Sequence, residues 1–127
     1  MSPRRTDERG QATVELALCL PLVVLLIGAL VEIGALVGDQ IRLWHAAREA
    51  ARVAIVDSDE SHIRAAAERG GLNRLQIDVD PPPADRSPGE ALTVSLTYSP
   101  HGHVPLLGSV LARSMMHAEA TMRVEQP

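Results

Sequence analysis

A charged arm opens the chain and gives way at Gly10 to residues dominated by Leu, Val, Ile and Ala. Residues 16–31 carry no charge; Glu32 interrupts, and residues 33–38 carry the apolar run on to Asp39. As a helix, residues 16–38 would reach about 34 Å, against a hydrocarbon core of about 30 Å. That fits one slightly tilted crossing of a membrane. The helical pattern does not stop there. Between Asp39 and Val56 there is neither Gly nor Pro, and Leu43, Ala47, Ala50 and Ala54 recur as a small-residue stripe. The pattern predicts one helix of about 40 residues, half in lipid and half in water, whose extension covers 39–56. Asp57, Ser58 and Asp59 break it. Ser58 or Asp59 can cap a second helix over 59–69, and Gly70-Gly71 ends that one.

The period then changes to two. Leu75, Ile77 and Val79 alternate with polar residues, as do Leu92, Val94, Leu96 and Tyr98, and then Ala118, Ala120, Met122 and Val124. These predict three strands near 74–80, 91–99 and 117–125, each with one buried face. A Pro-rich loop over 81–89 joins the first two, and a turn lies at 100–104. Pro105 can occupy the first turn of a short helix running through Arg113. The expected fold is therefore α+β and membrane-anchored: a long N-terminal helix, a short second helix, and a small three-stranded antiparallel sheet with a short helix. Three strands with one wet face are marginal alone. The small-residue stripe of the long helix is their natural cover. The expected organisation is an arm over 1–10, a transmembrane helix over 11–38 and an extracytoplasmic domain over 39–127.

Charge and composition narrow the reading. Arg4, Arg5 and Arg9 lie ahead of the span, which by the positive-inside bias puts the amino terminus in the cytoplasm and the carboxyl terminus outside. The net charge of −4 argues against nucleic acid, whose binding needs a basic face. A cleaved signal peptide has an apolar region of about 7–15 residues, shorter than this run, and no convincing small-x-small site ends it. Cys19 is the only cysteine, so no internal disulfide can form. It does not read as a lipid attachment site, because Leu18 is large and no apolar region precedes it.

Taken together, Arg9-Gly10-Gln11-Ala12-Thr13-Val14-Glu15, the Leu/Val span with Pro21, and Ala46-Ala47-Arg48-Glu49-Ala50-Ala51-Arg52 resemble the TadE-like family. These are pilin-related minor subunits of the tight-adherence (Flp pilus) system. The closing Ala120-Thr121-Met122-Arg123-Val124-Glu125 is similar to how such chains often end. The resemblance implies a pseudopilin held in the bacterial cytoplasmic membrane and cut by a prepilin peptidase between Gly10 and Gln11. It also implies other pilin-like subunits as partners, and a secretion ATPase and platform proteins as indirect ones. Major pilins are much shorter, lack a strand domain and carry an aromatic just after the glutamate. Here Leu16 stands in that place, and phenylalanine is absent.

The residues support specific roles. Gly10 suits a peptidase that needs minimal bulk before the cut. Removing three arginines and two acids would take one net positive charge from −4, leaving −5. Glu15 would be the fifth mature residue, where a neighbour's free α-amino group could pair with it during assembly; a simple interface carboxylate is the other reading. Pro21 removes one helical hydrogen bond and can bend the span. Gly34 and Gly38 could let another helix approach closely. Trp44 is a candidate interface anchor. Glu32 lies roughly 25 Å from Glu15 along the helix, and is expected at the outer boundary within reach of water. His101 and His103 are too few for a metal, and Asp57, Asp59 and Glu60 lack the calcium-loop pattern. There is no phosphate loop, zinc-protease pair or nucleophile elbow. The expectation is a structural protein with no cofactor and no enzymatic activity. The rival reading is an uncleaved, single-pass anchor carrying an extracytoplasmic binding domain.

Overall fold

The computed structural model describes residues 7–102 and 115–125, and side chains from residue 10 onward. The short helix expected from Pro105 through Arg113 lies outside the described residues. The first element, α1, runs unbroken from Asp7 to Ala54, about 72 Å at 1.5 Å per residue. It passes through Gly10 and Pro21 without interruption. After it come α2 (Glu60–Glu68), β1 (Gln76–Asp80), a single 3-10 turn (Pro83–Asp85), β2 (Ala91–Tyr98) and β3 (Met116–Arg123).

The two halves of α1 differ in what surrounds them. Its amino-terminal half touches little of the rest of the chain: Leu18 is 74% exposed and Leu22 70%. Its carboxyl-terminal half is core, with Leu43, Ala47, Ala50 and Ala51 fully buried. A core helix of a soluble protein would bury the first half as well. The helix is long and apolar enough to cross a membrane over Gly10–Ala54, and the exposed Leu/Val surface is what lipid would cover.

The sheet has the order β1-β2-β3 and is antiparallel throughout. The register aligns Ile77 with Leu96 and Ala118, and Val79 with Val94 and Ala120. These rows form the inner face. α1 lies over β2 and β3. Alanines on the helix and Ala118 and Ala120 on β3 let the backbones approach, while Leu92, Val94 and Leu96 of the central strand supply bulk. All three are 0% exposed. The expected stripe is therefore the cover of the sheet. On the opposite face the hydroxyls of Thr93 and Thr121 meet at 2.9 Å across the strand pair, a cross-strand contact of the kind that fixes register. Backbone bonds from Val124 N–H to Glu90 and from Gly89 N–H to Val124, both 2.9 Å, extend the β2–β3 pairing. Gly89 sits at φ +83°, a conformation costly for other residues.

α2 packs on α1 through Ile63, Ala66 and Ala67. Asp59 caps it, accepting from Ser61 N–H at 2.8 Å. Arg86 ties the Pro-rich loop to the end of α1: its Nη1 donates to the Ala54 carbonyl at 3.2 Å and its Nε to the Pro81 carbonyl at 3.1 Å. A cation on the last carbonyls of a helix is favourable for its dipole.

Candidate functional site

The residues singled out for processing and assembly all lie on α1, and the helix strings them out instead of gathering them. From Gly10 to Gly38 is roughly 42 Å of helix. Gly10 and Gln11 are exposed, and the Gln11 side-chain amide donates to the Glu15 carboxylate at 3.1 Å, one turn away. Pro21 is exposed within the apolar half. Among the described residues there is open space around Gly10, Gly34 and Gly38: a Cβ added at any of the three would meet nothing within 4 Å. The described residues thus make no steric demand for glycine at these positions.

Glu32 departs from expectation. It was expected in water at the outer boundary, yet it is 1% exposed and engaged in an interaction. The cause is helical phase. Glu32 shares a face with Asp39, Leu43, Ala46 and Ala50, spaced by three, four or seven residues, and that face is buried along its length. If Glu15 marks the inner edge of the hydrocarbon, Glu32 is only about 25 Å along and still within a core of about 30 Å. Burial in protein keeps its carboxylate from lipid, where a charge costs about 2.5–3.5 kcal/mol or more at mid-depth. The sequence shows a charge interrupting an apolar run; only the three-dimensional cover shows that it turns inward.

A small polar cluster joins α1 to the sheet just beyond. Asp39 is 8% exposed and accepts from Arg42 at 3.4 Å. The Gln40 amide donates to the His117 carbonyl at 3.1 Å, bridging α1 to the start of β3. Partial burial, and then the nearby Asp39 carboxylate, push the Tyr98 phenol above its ordinary pKa of 10.0. The sequence reading missed this joint. Polar residues within one turn of a membrane exit are its only signal, and they are common at any such exit.

At the far end of the domain, Asp57 and His62 form an exposed pair beside the Asp59 cap. The Asp59 backbone N–H and then His62 hold the Asp57 carboxyl below its ordinary value, and Asp57 in turn raises His62. No group of three or more metal-ligating side chains occurs among the described residues.

On the opposite side of α1, Ile33, Val37, Ile41 and Trp44 remain between 52% and 56% exposed. This apolar stripe runs from the span past the level at which Glu32 is covered. From Glu15 to Trp44 is about 43 Å, close to the thickness of a bilayer with its headgroups, roughly 40–45 Å.

Fold and site together define a single-span anchored α+β protein: an exposed apolar half-helix continuous with the core helix of a small sheet domain. Residues 10–52 match the family model described as TadE-like protein, the family that the sequence resembles. The match opens at Gly10 and closes within the stripe that covers the sheet. No curated protein and no solved structure matches the chain.

Proposed function

We propose that the chain is a TadE-like pseudopilin, a structural component of Flp (tight-adherence) pilus assembly or of secretion by a related machine. It is made with its amino terminus in the cytoplasm, cut by a prepilin peptidase between Gly10 and Gln11, and held in the bacterial cytoplasmic membrane by α1. Its outer domain then works with other pilin-like subunits, while the secretion ATPase and platform proteins act on it indirectly. The observation that carries this reading is the glycine at position 10. It sits inside a helix, where glycine costs about 0.5–1 kcal/mol against alanine, and nothing among the described residues crowds it. A reader outside the chain accounts for it: a peptidase that tolerates no bulk before the bond it cuts. Glu15 lies exposed five positions beyond Gly10, where it accepts from the Gln11 amide and can meet the amino group of a neighbouring subunit.

Mass spectrometry of the protein extracted from native membranes tests this. The chain should begin at Gln11, and Gly10→Leu should leave it full-length. A native chain that still begins ahead of Gly10, in cells with an active prepilin peptidase, would falsify the pseudopilin reading and leave an uncleaved anchored domain.

A further inference from the structure

We infer that the outer edge of β1 is a docking site for an extended peptide segment of alternating apolar and basic residues, which would add to the sheet as a fourth strand. β1 is a terminal strand of the sheet. Among the described residues, no backbone bond other than its ladder with β2 reaches Gln76–Asp80. Beside this edge, between β1 and α2, lies an open cleft of about 210 Å³ lined by Ile63, Ile77 and Val79, with Glu60, Asp78, Arg64 and Arg86 also at its walls. A site for a drug-sized molecule is roughly 300–1,000 Å³. The cleft is smaller than that, and its size, with Ile63, Ile77 and Val79 among its charged walls, suits one or two aliphatic side chains carried by a strand.

The two arginines bound the edge. Arg64 donates to the Leu75 carbonyl at 3.4 Å, just before β1, and Arg86 to the Pro81 carbonyl at 3.1 Å, just after it. The carbonyls at both ends are therefore engaged, and the strand between them is left as an open template. Unpaired edges invite pairing, and recognition by strand addition takes its affinity from the main chain and its specificity from pockets for alternate side chains.

Charge selects the occupant. On the wet face of the sheet, Asp78 and Asp80 are exposed, and Asp78 stands in one row with Ser95 and Glu119. A second copy of β1 paired antiparallel about its centre would set aspartate against aspartate, which is destabilising. A partner strand with Lys or Arg opposite those positions and small apolar residues toward the cleft meets both faces. This inference does not depend on processing at Gly10.

The test uses the full chain in zwitterionic phosphatidylcholine nanodiscs, so that a basic peptide has no anionic lipid to bind. The probes are two capped hexapeptides, (Arg-Val)3 and (Glu-Val)3, with hydrogen exchange read by mass spectrometry. The basic peptide should slow exchange in β1, leave β3 unchanged, and bind about tenfold more tightly than the acidic one, as expected for two cross-strand charge pairs turned from repulsive to attractive. Asp78→Lys combined with Asp80→Lys changes two exposed side chains and should reverse the preference. Equal binding of both peptides, protection elsewhere than β1, or an unchanged preference in the double variant would overturn the proposal. Protection of β1 that grows with protein concentration in the absence of peptide would also overturn it, making a second copy the occupant.

Discussion

The substitution Ala50→Leu tests whether the small-residue stripe of α1 is what holds the sheet. Ala50 is 0% exposed, between Ala46, Ala47, Ala51 and Ala54, each 3% exposed or less. Leucine is a good helix former, so propensity hardly changes. What changes is bulk: three further carbons at a position where the helix meets packed neighbours. Overpacking of this kind typically costs about 1–3 kcal/mol, or roughly a 5- to 150-fold rise in the open population at 1.4 kcal/mol per factor of ten. A circular-dichroism melt would miss this, because the membrane half of α1 dominates the helical signal and should stay folded in detergent or lipid. Hydrogen exchange of the β2 amides, Ala91–Tyr98, reads the right event. Those amides should exchange about 5- to 150-fold faster in the variant, whereas Arg48→Leu, which adds a leucine at an exposed position of the same helix, should stay within about 0.5 kcal/mol of the wild type. If β2 exchange in Ala50→Leu lies within twofold of the wild type, the sheet does not depend on close approach to α1.

Other outcomes follow from single residues. Glu32→Ala removes a buried carboxylate from an interaction and should loosen the domain from α1 by about 1–3 kcal/mol, seen as faster limited proteolysis; cleavage no faster than in Glu15→Ala would refute the inward role of Glu32. Glu15→Gln should insert, fold and be processed normally yet fail to co-purify with other pilin-like subunits, and undiminished co-purification would leave Glu15 an ordinary interface carboxylate. The Asp57–His62 pair makes the start of α2 pH-sensitive with a defined sign. His62 is raised above 6.5, so its contribution is complete below that value and is lost as pH rises through the raised one; Asp57 is lowered from 3.8, so its contribution is lost only as pH falls through the lowered value. Amide exchange at Ser61–Ile63, corrected for its intrinsic rate, should therefore quicken above about pH 6.5 in the wild type and show no such step in His62→Gln.

The elements were legible because each has a strong period. The change from helical spacing to alternation after Gly71 places the three strands, and the observed spans differ from the expected ones only at their ends. β1 starts at Gln76 because Arg74, with φ of 61°, is turned out of the strand conformation. Ser58 and Asp59 were both visible as candidate caps from type and position, and Asp59 is the one that accepts from Ser61 N–H. What the pattern could not carry is any fact that depends on two distant segments. Glu32 reads as an interruption of an apolar run and Asp39 as its end, and their burial depends on a helix face whose cover is set by the rest of the fold. Arg86 sits in a Pro-rich loop with no local sign that it reaches the end of α1, 32 positions earlier. The proposed processing and assembly residues are of another kind: Gly10, Gln11 and Glu15 form a local pattern, and the roles proposed for them call on a reader outside the chain, so tertiary contacts within it do not bear on them.

That contrast bears on how the anchor is used. A helix interior is an unfavourable place for glycine, at about 0.5–1 kcal/mol against alanine for each, and α1 contains Gly10, Gly34 and Gly38 with no neighbour near a Cβ at any of them. Within the folded chain that cost returns nothing. Gly34 and Gly38 stand beside Ile33, Val37 and Ile41, an apolar surface on the side of α1 away from the sheet. In lipid, helices associate through close backbone approach at small residues, because lipid tails are as apolar as leucine and give bulky side chains no advantage. The same helix therefore makes two different uses of small residues. Its alanines draw the sheet of its own domain inward, and on the proposed reading its glycines would leave the opposite side open to a helix of another pilin-like subunit.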